Sequence, residues 1–352
     1  MNTVIINSIG TATPGASKVL SDALKVPQDY ILKLLYNAPS VLFQKVDEDT
    51  AQKAEDTLTK LGLEVAVCKE DEKIDLTTEL VDISVSFDDI LKLPIVTEQL
   101  SIFLGCKQSE VLSLLLKEPS IVLGNVSRAT AEALQKRVDT DVYFSNPRKD
   151  EYTVLVSKDK GARELKNIAR LLKFEPVLQD EVYVFENISY NDSQLVWRKY
   201  QSNDFIKILN QSHQSVTIEL DDFDIQNEEH TNLLINKVGM PGEILEDIHT
   251  ALPIVLFEDF NRNKALELYK ECETIGLKTS IQKDFNFKKN LQIDEIEDVE
   301  LVNKILGQFI DQENLPKKGA TEWINKEEIP PLIAKYLCAQ LETLNCNPVI
   351  IN

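Results

Sequence analysis

Residues 30–43 read Tyr-Ile-Leu-Lys-Leu-Leu-Tyr-Asn-Ala-Pro-Ser-Val-Leu-Phe, and residues 110–123 read Glu-Val-Leu-Ser-Leu-Leu-Leu-Lys-Glu-Pro-Ser-Ile-Val-Leu. A third stretch, residues 243–257, reads Glu-Ile-Leu-Glu-Asp-Ile-His-Thr-Ala-Leu-Pro-Ile-Val-Leu-Phe, with one more residue before its proline. Each starts with apolar residues at helical spacing and ends in a short apolar run suited to a buried strand. Pro39, Pro119 and Pro253 separate the two parts. Proline has no N–H to give a helix and disfavours helical backbone in the residue before it. Each is therefore read as a helix stop that sets the start of a strand.

Working outward from the first copy, residues 3–8 are β-branched and apolar and predict an opening strand. Val19, Leu20, Ala23 and Leu24 give residues 16–25 helical spacing. Pro27 suits the first turn of the next helix, where its missing N–H costs nothing. That helix points Ile31, Leu34 and Leu35 inward. After the strand at 40–46, Asp47 is a good N-cap for a helix over 48–60, and Gly62 can close it in the left-handed conformation. A strand at 63–68 ends the unit. The order is β-α-α-β-α-β within residues 1–70.

Residues 69–79 are polar and acidic and read as a linker. The same order returns in 80–146: a strand at 81–87, a helix over 88–104 bent at Pro94, and a short helix capped by Ser109. A strand at 121–126, a helix over 128–138 capped by Ser127 and a strand at 142–145 follow. Agreement of several elements in one order is a stronger sign of duplication than any single match. Residues 213–286 form the third full copy, with Gly276 in the position of Gly62.

Residues 151–212 carry similar elements in another order. The run 153–157 resembles the second strand of the other units, 160–174 their last helix and 176–179 their last strand. A strand at 182–188 and a helix over 194–210 come after. Two readings stand, a permuted unit and a half unit docked on its neighbours, and permutation is favoured. Residues 283–298 read as a second linker. The segment 294–352 reads as a helical, partial unit, with helices over 298–311 and 329–344 and a strand at 349–351. The expected fold class is α+β: tandem modules, each a small three-stranded antiparallel sheet packed on helices.

Composition bounds the function. The chain is 43% hydrophobic and 27% charged, enough for packed cores, and its length of 352 residues exceeds one ordinary core. A net charge of -20 opposes a general affinity for nucleic acid or anionic membrane. Cys68, Cys106, Cys272, Cys338 and Cys346 are scattered with no CxxC pair, which predicts free thiols in a reducing cytoplasm. The N-terminus lacks a basic region followed by a long apolar run, so no signal peptide is expected. No apolar run approaches the length needed to cross a bilayer.

The run 37–67, Asn-Ala-Pro-Ser-Val-Leu-Phe-Gln-Lys-Val-Asp-Glu-Asp-Thr-Ala-Gln-Lys-Ala-Glu-Asp-Thr-Leu-Thr-Lys-Leu-Gly-Leu-Glu-Val-Ala-Val, resembles the C-terminal domain of the bacterial ribosomal stalk protein. Shared features are a proline-led strand, an acidic turn, an alanine-rich helix ending in glycine and a Glu-Val-x-Val strand. That family has the same β-α-α-β-α-β order, similar to ClpS-type adaptors. Residues 119–145 and 253–282 resemble more diverged copies. The family's lysine- and glycine-rich helix pair binds translation factors. Here Lys25 and Lys33 remain without the glycine-rich approach, and the family's dimerising segment and hinge have no counterpart. Ribosome or elongation-factor binding is therefore not carried over. The resemblance implies a small noncatalytic module that shows a helical face to protein partners.

Catalytic signatures are absent from the sequence. Gly10-Thr-Ala-Thr-Pro-Gly15 lacks the Lys-Ser/Thr ending of a phosphate loop, and Pro14 removes one amide donor. Asp88-Asp89 and Asp221-Asp222 follow strands, where acid/base or Mg²⁺ chemistry is conceivable, yet carboxylates there also favour helix starts. His230 beside Glu228 and Glu229 lacks a second ligand set at metal spacing and reads as a solvated helix face. His249 sits in a short helix; His213 stands alone. Cys338 and Cys346 read as packed thiols. Trp197 and Trp323 are core or interface anchors, and the sequence does not separate these roles. No catalytic residue, metal site or cofactor is implied.

The expectation is a noncatalytic structural or adaptor protein that uses repeated modules to assemble proteins. One alternative is a subunit of a large bacterial machine, such as a secretion or phage-tail-like assembly. Another is an enzyme or ligand-binding protein with a site between units near Asp221, Asp222 or His249. Partners are expected to be proteins, with no nucleic acid and no membrane insertion.

Overall fold

A computed structural model describes residues 1–352 apart from 71, 88, 118, 180, 181, 204, 283–288, 345 and 352. The chain is α+β, and its described residues form five small antiparallel sheets with their helices. The first module runs β1 (Asn2–Ser8), α1 (Gly15–Leu24), α2 (Gln28–Tyr36), β2 (Ser40–Val46), α3 (Glu48–Lys60) and β3 (Glu64–Lys69). Its sheet order is β2-β1-β3, with β1 antiparallel to both neighbours. The topology follows from helix count. Two helices bring the chain back antiparallel beside the first strand. One helix then carries it across β1, so that β3 runs parallel to β2. Val4 and Ile6 of β1, Leu20 of α1, Ile31 and Leu35 of α2 and Leu58 of α3 are buried between the layers.

The second module repeats this as β4 (Leu80–Ser86), α4 (Leu93–Leu104), α5 (Gln108–Leu115), β5 (Ile121–Ser127), α6 (Arg128–Gln135) and β6 (Asp141–Ser145), in the order β5-β4-β6. Two local expectations change. Pro94 does not bend a long helix. It lies in the first turn of α4, where its missing N–H is harmless, after a 3-10 turn at Ile90–Lys92. Ser109 lies inside α5, and the start of that helix is closed by Glu110, whose carboxylate accepts the Lys107 N–H at 2.8 Å.

The stretch after residue 150 is not permuted. It runs β7 (Glu151–Ser157), α7 (Lys158–Gly161), α8 (Leu165–Leu172), β8 (Val177–Gln179), β9 (Val182–Ser189), α9 (Tyr190–Tyr200) and β10 (Ile206–Asn210). The sheet order is β10-β7-β9-β8. The first strand is central again, and β9 and β10 take the flanking places. The addition is β8, which runs antiparallel to β9 and supplies a return leg that the four-residue α7 is too short to give. Residues 206–210 are a strand and not the end of a helix. Ile206 pairs with Val156 and Asn210 with Tyr152, and Ile206 and Leu209 are buried.

The fourth module comprises β11 (Ser215–Asp222), α10 (Glu228–Leu233), α11 (Leu245–Ala251), β12 (Ile254–Asn261), α12 (Arg262–Ile275) and β13 (Lys278–Gln282), in the order β12-β11-β13. Between α10 and α11 lie a π-helical turn, Leu234–Val238, and a 3-10 turn, Gly242–Ile244. The expected linker at 283–298 falls partly outside the described residues; the rest contains β14 (Asn290–Asp294), a central strand. Alternation explains it, because Leu291 and Ile293 are fully buried beneath polar neighbours. With α13 (Val299–Leu306), β15 (Trp323–Ile324), α14 (Pro331–Glu342) and β16 (Asn347–Ile351), it makes a fifth, reduced module in the order β15-β14-β16.

One device recurs where the second strand hands over to the last helix. In the first three modules this strand carries a bulge with a left-handed residue: Lys45 (φ 58), Asn125 (φ 57) and Asn187 (φ 55). Two residues later stands the helix N-cap: Asp47, Ser127 and Ser189, each accepting a backbone N–H from three residues on. The fourth module shows the same register shift, between Val216 and Ile218, and the N-cap Asn261. The extra residue kinks the strand and aims the helix across the sheet.

Two compact units group the modules. The first joins Met1–Asn146 with Phe287–Asn352, and the second is Pro147–Asn286. Within the first, modules one and two share one continuous core, from Val4 through Leu100 and Phe103 to Val142. The fifth module has its own core around Leu291, Val302 and Leu337, against which Leu112 and Leu116 of the second module pack. Within the second unit, modules three and four each keep a separate core.

Candidate functional site

The candidates for chemistry resolve into structural roles, beginning with the glycine loop. The Gly10 N–H donates to Ser8 Oγ (3.0 Å), that of Thr11 to the Gly62 carbonyl (2.8 Å) and that of Ala12 to the Ile9 carbonyl (3.0 Å). A phosphate needs several convergent free amides, and these are engaged. The loop instead presents its carbonyls to a cation. Arg137, just past the end of α6, donates to the Ala12 carbonyl at 2.8 Å and to that of Gly10, with its guanidinium 5.1 Å over the Phe103 ring. This clamp between modules one and two is invisible to sequence reading, because it joins residues about 125 apart.

The acidic pairs divide. Asp88 lies outside the described residues. Asp89 accepts the Leu91 N–H (2.9 Å) and caps the 3-10 turn. Asp222 pairs with Lys278 (2.7 Å), and that hydrogen bond holds its carboxyl below the usual range. Asp221 accepts from Ser280 Oγ at 3.1 Å. His249 is near Asp222 and stacks edge-on against Phe223, but it is exposed. A carboxyl poised for proton transfer at neutral pH needs its pKa raised by burial, the opposite of what Lys278 does to Asp222.

His230 is buried rather than on a solvated face. Its Nδ1 accepts the Asp224 N–H (3.0 Å) and its Nε2 lies 2.9 Å from the Ile275 carbonyl, so both ring nitrogens tie α10 to its surroundings. All five cysteines are free thiols. Burial pushes Cys338 up to about 11, which keeps it protonated and unreactive. Among the described residues, no group of three His, Cys, Asp or Glu side chains is placed to hold a metal ion.

A buried polar turn joins modules three and four. Asn210, Gln211, His213 and Gln214 are nearly inaccessible. Asp150 accepts from Asn210 Nδ2 (2.7 Å) and Ser212 Oγ (3.0 Å). Gln211 Nε2 donates to Thr153 Oγ1 (3.1 Å) and to the bulge residue Asn187 (3.4 Å). On the other side, the Ser212 carbonyl accepts from Asn261 Nδ2 (3.3 Å) and that of Gln214 from the Arg262 N–H (2.9 Å). Burial pushes His213 down to about 4, against a smaller opposing pull from Asp150. This histidine is neutral and serves the joint.

What remains is surface, and its apolar residues are not scattered evenly. Val19 on α1 and Tyr30 on α2, Ile95 and Ile102 on α4, Ile235 and Ile244 around α10 and α11, and Leu301 on α13 are all exposed. These lie on helical segments between the first and second strands of a module, while Val255, Ile324 and Val349 are exposed on strands and Leu76 in the linker. Ile95 and Ile102, at 53% and 55% exposure, are seven apart and share one face of α4. Among the described residues, no exposed large apolar side chain lies on α3, α6, α12 or α14.

Module three departs from this pattern. Leu195 and Trp197 are exposed on α9, its last helix. Trp197 lines a depression of about 190 Å³ with Tyr200, Gln201, Ile206 and Ile208. Trp323 instead is half-buried, donating its indole N–H to the Asn314 carbonyl at 2.9 Å. The two tryptophans thus differ: Trp197 is exposed, and Trp323 is half-buried and held by its indole hydrogen bond. Among the described residues no helix is long and apolar enough to cross a membrane.

No family model matches the chain, and neither a curated protein nor a solved structure matches it.

Proposed function

We propose that this chain is a noncatalytic adaptor that assembles other proteins on the helical faces of its repeated modules. The supporting observation is the recurrence of exposed apolar side chains on the helical segment between first and second strands, in four of the five modules. A single exposed leucine or isoleucine is ordinary for a soluble protein. Repetition at one structural position is not, since among the described residues the last helices of those four modules carry no exposed large apolar side chain. Apolar anchors on helices suit protein contacts, and several modules on one chain multiply weak contacts if the partner also repeats.

The test is affinity capture from a lysate of the source organism with the full chain, beside Ile95→Glu/Ile102→Glu and Val19→Glu/Tyr30→Glu variants. These side chains are exposed, so the variants should melt like the parent. The expected result is a stoichiometric protein partner held by the parent and lost from at least one variant. A chain that retains nothing, or retains the same proteins after both substitutions, sinks the reading.

A further inference from the structure

Module three holds a surface unlike the rest of the molecule. The chain carries a net charge of -20, yet residues 158–178 hold six Lys and Arg against Asp159, Glu164 and Glu175. Lys166 and Arg170 are one turn apart on α8; Arg163 precedes the helix and Lys173 closes it in the left-handed conformation. All four are exposed, and among the described residues none has an ion-pair partner. The chain then runs directly into Phe174, Val177 and Leu178, exposed by 50%, 61% and 47%. The last two lie on β8, the terminal strand of its sheet. From Lys173 to Val177 the chain spans at most about 14 Å.

We propose that this edge binds an acidic, extended segment of another protein, which adds as a strand beside β8 while its carboxylates meet Arg163, Lys166, Arg170 and Lys173. Two observations choose this occupant. A terminal strand offers unpaired backbone groups that only another polypeptide strand satisfies in series, and successive Val177 and Leu178 offer apolar contact on both faces. The unpaired cations select acidic side chains. A second copy of this chain would bring the same cations against themselves across a two-fold axis. A nucleic acid would answer the cations but not the backbone edge. The repulsion from the acidic body acts at longer range and is screened beyond about 8 Å at physiological ionic strength, so the local stripe decides. This surface is separate from the helical faces argued above, and either proposal can fail alone.

The test uses the full chain and a labelled peptide of about eight residues alternating Glu and Val, followed by fluorescence anisotropy. Binding is expected, with affinity falling as salt rises and about tenfold weaker for Lys166→Glu/Arg170→Glu. Hydrogen exchange should slow at residues 174–179 when peptide is added. The milder Lys166→Gln/Arg170→Gln should give an intermediate loss, and unchanged melting curves would show that the variants fold. The proposal is overturned by equal binding of a Lys-Val peptide, by undiminished binding of a backbone N-methylated peptide or by protection confined to other residues. Tighter binding of a single-stranded oligonucleotide, self-association through this edge, or no peptide binding at about 1 mM would also overturn it.

Discussion

His213 shows how one residue can report on a joint. Its folded pKa is about 4, below the ordinary value near 6.5. The unfolded chain therefore takes up the proton first as pH falls. The stability associated with neutral His213 is fully present above about pH 6.5 and is lost as pH falls toward 4. Between pH 6.5 and 5 the loss comes to about 1.5 kcal/mol, before most carboxylates titrate. Urea unfolding of the chain at these two pH values should show the second unit losing stability, and His213→Gln should flatten the difference. Equal pH dependence in both proteins would contradict this account. The sequence offers His213 as a lone histidine, and only the packing of residues 210–214 between two modules gives it a role.

The bulge and cap are the working unit at the scale of elements. The strings Lys45-Val46-Asp47, Asn125-Val126-Ser127 and Asn187-Ile188-Ser189 place a left-handed residue, an apolar residue and an N-cap in series. Asparagine tolerates the left-handed conformation, whereas a β-branched side chain clashes there. In module two the Asn125 N–H also donates to the Asp82 carboxylate of the central strand at 2.9 Å. Asn125→Val should cost about 1–2 kcal/mol in urea unfolding, while Asn125→Gly should be close to neutral. Asn187→Val should cost more, because it also removes the acceptor for Gln211. Equal stability of the valine variants and the parent would remove the bulge from the account. The caps were legible as Asp47 and Ser127. The bulges were not, since a register shift belongs to a pair of strands and the partner strand lies about forty residues away in sequence.

For the whole molecule, the decisive fact is that the first unit is closed by the end of the chain. Phe309, Leu332 and Tyr336 join the core shared by modules one and two, while Leu112 and Leu116 cover the fifth module. A chain ending at residue 286 should keep the folded second unit but lose about 3 kcal/mol or more from the first, from the apolar surface uncovered. Hydrogen exchange would read this as faster opening across residues 80–145, with residues 151–282 unaffected. Uniform loss of protection in both units, or none in the first, would show that the cores are not divided in this way.

The sequence by itself determined the module. Helix-proline-strand repeats, caps and apolar spacing are local signals, and local signals survive in any copy that keeps its own core. They gave the α+β class and most strands. They failed where a residue's meaning depends on what packs against it. The third stretch looked permuted because β8, an added edge strand, mimics the last strand of other copies. The central strand β14 looked like a linker because its burial comes from neighbours far along the chain. Arg137, the clamp between two modules, likewise depended on long-range contacts. Only the tertiary structure decided these, because pairing and burial are properties of surfaces brought together by folding and not of the residues taken in order.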